Sequence, residues 1–202
     1  MEERTRKIIS FLQEIEKCKL VERKVYCSDL KRRESDAEHS WHLAMFLVLF
    51  EKNLPKELDL LKMLKMALVH DLAEIYAGDI FAFDTEGRKG KKEREERSAE
   101  KLFSGLPEDL KEELWQLFGE FEEAKTSEAK VVQSFDKLQP ILQNLCSNGL
   151  SWKENSISVE DVNAYKKVFM EHDPFILDLY RRLLSTANEK KLMADKPAQS
   201  KI

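Results

Sequence analysis

"MALVHDLAEIYAGD", residues 66 to 79, begins as an apolar helical stretch and ends in a crowd of ionisable groups, with His70, Asp71, Glu74 and Asp79 inside ten positions. A helix bound for a protein interior avoids such groups, because an unpaired buried carboxylate costs on the order of several kcal/mol or takes up a proton. Positions three and four apart share a helix face. Glu74 is therefore aligned with both His70 and Asp71, and Asp71 extends the apolar stripe Leu60, Leu64, Ala67 inward. Neighbours such as His70 and Asp71 diverge by about 100° and can meet one small object only close to the helix surface. A divalent cation satisfies that condition and reverses the cost of burying a carboxylate. The alternative is a helix end with solvated charges, its His favoured by the C-terminal dipole.

Two other segments bear on the choice. His39 lies on the stripe His39, Leu43, Phe46, Phe50 of a helix whose centre, "LAMFLVLF" (43–50), is apolar all round and so belongs deep in a bundle. A lone inward His is ordinarily a core residue; a second one, in a chain with four, is harder to explain that way. Asp136 stands in "VVQSFDKLQP" within the apolar stripe Val131, Phe135, Leu138, Leu142, Leu145, and Pro140 removes the amide that would bond its carbonyl. Pairing with Lys137 or Lys130 is the other reading of Asp136. His39, His70, Asp71 and Asp136 together form a two-His, two-carboxylate set suited to one divalent ion such as Mn, Co, Fe or Zn, with coordination positions left for water and substrate.

Around these segments the chain reads as all-α. Its 202 residues are 42% hydrophobic and 36% charged with six Gly and five Pro, a composition of helix formers sufficient for one core. Helices are expected over 4–20, 35–53, 55–77 and 92–104, then 107–123, 127–147, 158–171 and 174–188. Ser35/Glu38 and Ser158/Asp161 supply capping boxes, Gly78 a stop, and Pro55, Pro107 and Pro174 starts. "ERKVYCSDLKRRE" (22–34) reads as a polar connection, "DTEGRKGKKEREERS" (84–98) as a charged loop leading into a solvated helix, and 189–202 as a flexible tail. The expectation is one helical-bundle domain over 1–188.

A formal net charge of -4 predicts no general affinity for nucleic acid or an anionic membrane, and the longest apolar run falls well short of a membrane span. Three Cys without a CxxC pair fit free thiols in a reducing compartment, and "MEERTRKIIS" does not read as a signal peptide. A cytoplasmic protein is expected.

The stretches "RRESDAEHSWHLA" (32–44), "MALVHDLAEIYAGD" (66–79), "TSEAKVVQSFDKLQP" (126–140) and, more weakly, "LVER" (20–23) resemble the H…HD…D pattern of the HD-domain metal-dependent phosphohydrolases, in the branch containing the 5'-deoxynucleotidases. The likeness covers about residues 20–150. It implies an HD-type helical bundle, with His39, His70, Asp71 and Asp136 as metal ligands and Glu74 as a catalytic carboxylate. Asp79 falls at a second acidic position on the substrate side, and Arg23 at a basic position contacting the nucleotide phosphate. Lys24 stands where the deoxynucleotidases carry a Trp, a departure that bears on sugar choice; Lys24 and Arg33 are further candidates for phosphate contact.

The implied activity is hydrolysis of a phosphomonoester, a (deoxy)nucleoside 5'-monophosphate, by a homodimer. Competing readings are a phosphohydrolase for another phosphorylated metabolite or a nucleoside triphosphate, a metal- and nucleotide-binding module without turnover, and a purely structural bundle.

Overall fold

A computed structural model describes residues 1–195. The last seven residues, half of the expected tail, lie outside the described part. Helices dominate. α1 spans Glu3–Ile15 and passes into a 3-10 turn, Glu16–Leu20; α2 is Asp36–Phe50, continued by a 3-10 turn over Glu51–Asn53. α3 (Leu60–Val69) and α4 (Glu74–Ala77) follow, then α5 (Lys91–Phe103) and α6 (Glu108–Glu123). α7 (Ser127–Cys146), α8 (Leu150–Glu154), α9 (Val159–Lys166) and α10 (Pro174–Glu189) complete the order.

Three local expectations need correction. The 22–34 connection contains a two-stranded sheet, β1 (Glu22–Tyr26) with β2 (Arg33–Ser35). Val25 and Tyr26 supply β propensity, and a turn whose Leu30 has φ 60 reverses the chain. Pro55 does not open a helix: Asp59 caps α3 by accepting from the Lys62 amide. α8 lies in the expected gap between helices, entered from Gly149 at φ 66. A Cβ at Gly149 would come 2.1 Å from the carbonyl oxygen of Leu192, so both backbone conformation and space require glycine.

Both capping boxes form, at Ser35 with Glu38 and at Ser158 with Asp161. Gly78 ends α4 with φ 76.

The chain gathers into two compact units: Met1–Arg23 with Glu34–Val132, and Lys24–Arg33 with the chain from Gln133 onward. In the first, α1, α5 and α6 enclose Cys18, Val69, Leu72, Ala73, Ala99, Leu102, Phe103 and Phe118. α2 packs on α3, and Leu43, Leu47, Met63, Met66 and Ala67 are almost fully buried there. In the second, Phe135, Leu138, Ile141, Met170, Ile176 and Tyr180 are buried, and the Tyr180 hydroxyl donates to Asn163 at 2.8 Å. The first stretch of the expected tail is anchored: Leu192 is buried and the Ala194 amide donates to the Ile157 carbonyl. All three cysteines are free thiols, and no described helix is long and apolar enough to cross a membrane.

Candidate active site

The helix expected over 55–77 is interrupted at the site. α3 stops at Val69 and α4 starts at Glu74. Between them the amides of Leu72, Glu74 and Ile75 reach back three residues, to Val69, Asp71 and Leu72. The cause is local. The His70 ring bonds through Nδ1 to the Ala67 carbonyl at 2.9 Å, using the acceptor that a continuing α-helix offers to the Asp71 amide. Three-residue bonding eclipses side chains at i and i+3, which brings Asp71 and Glu74 over one another more closely than an α-helix would.

His70 is thereby fixed in tautomer as well as position. A carbonyl can only accept, so Nδ1 carries a hydrogen and Nε2 is the nitrogen available for a ligand or a second proton. Nε2 lies 3.1 Å from Asp71 Oδ2. His39, fully buried on α2, places its own Nε2 3.7 Å from the same oxygen, and the two imidazole centroids are 5.4 Å apart. One carboxylate oxygen and two imidazole nitrogens therefore face a common point. Lone pairs so placed repel unless a cation or proton lies among them. Two imidazoles and a carboxylate are donors of the right chemistry for a divalent transition ion, so these residues fit the metal that the sequence implies. Burial works to raise the Asp71 carboxyl, but His70, Arg23 and His39 outweigh it and hold Asp71 well below the usual carboxylate range.

Two further carboxylates adjoin Asp71. Asp36, at the first position of α2 and without exposure, and Glu74, almost as deeply buried, each bring an oxygen within 4.8 Å of Asp71 and of one another. Burial, reinforced by the charge of Asp71, pushes Asp36 up to about 7, with Arg23 pulling the other way. Glu74 is raised well above its ordinary value by burial, then by Asp71 and Asp36, with Lys91 opposing. A carboxyl raised toward neutrality can hold or pass a proton at working pH, the property wanted in a general acid or base.

Arg23 compensates this negative charge. Nη1 donates to Asp71 Oδ2 at 2.8 Å and to Asp36 Oδ1 at 3.0 Å, and Nε is 3.7 Å from Glu34. Burial disfavours its charge, yet Asp71, Asp79 and Asp36 hold the guanidinium protonated. Asp79, half-buried just past Gly78, acts on Arg23, Asp36 and Glu74 through its field.

The first unit thus assembles His39, His70, Asp71, Glu74 and Arg23, with Asp79 within electrostatic range. Lys24, Arg33 and Asp136 belong to the second unit. Lys24 follows Arg23 on β1 and is exposed, as strand alternation requires. Arg33 belongs to the second unit, where its guanidinium stacks 4.5 Å from the Tyr26 ring centroid and meets Glu154 at 3.3 Å. Asp136 is also in the second unit; it is buried, and Lys137 Nζ donates to it at 2.6 Å.

Asp36, Lys91 and Glu95 are new to the site. Asp36 carried a signal, standing one turn before His39 on the stripe that includes Leu43. Lys91 belongs to the charged segment 84–98 expected to lead into a solvated helix, and its partner Glu95 follows at i+4.

The fold and the paired His–Asp geometry define a class. The family model for the HD domain matches residues 15–174, and the chain belongs to the HD-domain family of phosphohydrolases. Among characterised relatives it is 37% identical over 141 residues to the bovine 5'-deoxynucleotidase HDDC2, an overlap of 68% of this chain and 66% of that protein. The zebrafish (Danio rerio) HDDC2 protein is 32% identical across 77% of this chain and 74% of its own. A crystal structure described as a predicted metal-dependent phosphohydrolase from Magnetospirillum magnetotacticum superposes with TM-score 0.88 at 33% identity, covering 96% of this chain and all of that one.

Proposed function

We propose that this chain is a metal-dependent phosphomonoester hydrolase that removes phosphate from (deoxy)nucleoside 5'-monophosphates. The observation that carries the reading is the convergence of His39 Nε2 and His70 Nε2 on Asp71 Oδ2, with Glu74 stacked one three-residue turn away. A module that only bound nucleotide would need no proton-handling carboxyl at that position. The names of the bovine and zebrafish relatives support a nucleotide substrate.

His39, His70 and Asp71 would hold one divalent ion (Mn, Co, Fe or Zn), with Asp136, assigned by its sequence motif, as the fourth ligand. When bound, such an ion would supply an acidified water and charge neutralisation at the phosphoryl group. Glu74 orients the attacking water and takes its proton. The water oxygen bonds to phosphorus as the bond from phosphorus to the sugar oxygen breaks, and that oxygen leaves with the proton that Glu74 took from the water. Asp79 holds the sugar hydroxyl or assists the leaving oxygen. Arg23, kept charged by its carboxylate neighbours, offsets phosphate charge, with Lys24 and Arg33 as secondary contacts.

The test is release of inorganic phosphate from deoxy- and ribonucleoside 5'-monophosphates with Mn or Co, beside triphosphates and sugar phosphates. Turnover of monophosphates with little on triphosphates is expected. Turnover only of the other compounds, or of nothing, defeats the reading.

We also propose that the enzyme is a homodimer, as its resemblance to the family implies. α2 exposes Trp41, Val48 and Leu49, and α3 exposes Leu61 and Leu68, large apolar side chains that a monomer would leave in water. Sedimentation at micromolar concentration should give twice the chain mass of 23.7 kDa; a single-chain mass overturns the proposal.

A further inference from the structure

Lys91 opens α5 immediately after Gly90, which adopts φ 66. A cation there opposes the positive end of the helix dipole, and the side chain is only 25% exposed. Both costs are offset by two carboxylates. Nζ lies 3.1 Å from Glu74 Oε1 and 2.5 Å from Glu95 Oε1. Glu95, one turn along α5, is itself buried, so the ammonium is gripped from both sides.

The grip distinguishes the two oxygens of Glu74. Oε1 is occupied by Lys91, while Oε2 is buried and has no hydrogen-bond partner among the described residues. A buried carboxylate oxygen without a donor is costly, and it is the atom able to receive a hydrogen from water. We infer that Lys91, steadied by Glu95, is the positioning residue of Glu74: it anchors Oε1 and presents Oε2 as the working oxygen. This rests on the phosphomonoesterase reading. It gives the basic segment 84–98 a specific task, different from direct capture of phosphate.

The test compares wild type, Lys91→Met, Lys91→Arg and Glu95→Gln in steady-state hydrolysis of the monophosphate turned over best with Mn. Lys91→Met should lower kcat about 10- to 100-fold, the usual effect of removing a group that orients a catalytic or ligating side chain, with KM within about twofold of wild type. Lys91→Arg should recover most of kcat, and Glu95→Gln should fall between. Unchanged kcat in Lys91→Met, a loss confined to KM, or Arg as poor as Met would overturn the inference.

A melting cycle needs no turnover. Lys91→Met should lower Tm by about 5–10 °C because Glu74 loses its buried partner, and adding Glu74→Gln should restore most of that loss. Additive shifts would overturn the pairing. A wild type inactive on every monophosphate would defeat the parent reading and leave this cycle to decide the role of Lys91.

Discussion

Asp71→Ala should lose bound metal and phosphatase activity together. Asp71 Oδ2 is the atom that both imidazoles face and that Arg23 also meets, so no neighbour replaces it. Without that carboxylate the proposed set keeps His39, His70 and Asp136 but loses the donor that faces both imidazoles, so the divalent ion should no longer survive dialysis. Elemental analysis of the purified variant should show metal well below the wild-type stoichiometry, and phosphate release should fall to the no-enzyme background. Full metal content with full activity would remove Asp71 from the ligand set. Asp71→Asn sharpens the comparison, since it keeps the volume and one acceptor but not the charge that counters Arg23.

Glu74→Gln separates chemistry from metal retention. Its carboxyl is not among the three donor groups that converge through Asp71 Oδ2, so the variant should keep its metal while kcat falls about 10²- to 10⁴-fold, the range expected for loss of a positioned general base. Gln keeps the volume of Glu74 and an acceptor for Lys91, whose charge Glu95 still meets, so the amide should be tolerated structurally and Tm should stay close to wild type. Metal loss equal to that of Asp71→Ala would make Glu74 a ligand; wild-type kcat would leave the base unassigned.

The helical class, the capping boxes at Ser35 and Ser158, and the inward direction of His39 and His70 were legible because period, cap chemistry and apolar stripes all act over a few residues. The break at 70–73 was not. It depends on the His70 ring competing for the Ala67 carbonyl, and the apolar pattern through "KMALVHDLAEIYA" runs on as though one helix continued. The two strands escaped for a related reason: five and three residues are too short to display alternation.

Lys91 shows the same limit in charge patterning. Lys91–Glu95 and Lys92–Glu96 are successive i,i+4 pairs of identical composition, yet the first is mostly buried at 2.5 Å and the second is exposed at 3.9 Å. Only the rotational setting of α5 tells them apart, and that setting is decided by Ala99, Leu102 and Phe103 packing into the core.

Glu74 rides on a helix of four residues, far below the length at which a helix supports itself in water. Its geometry is borrowed from Leu72 and Ala73, whose packing clamps the segment, and from Gly78, which ends it. Natural selection on catalysis would therefore act on apolar positions that never approach a substrate, and drift in that scaffold would erode turnover while every ionisable group stayed in the gene.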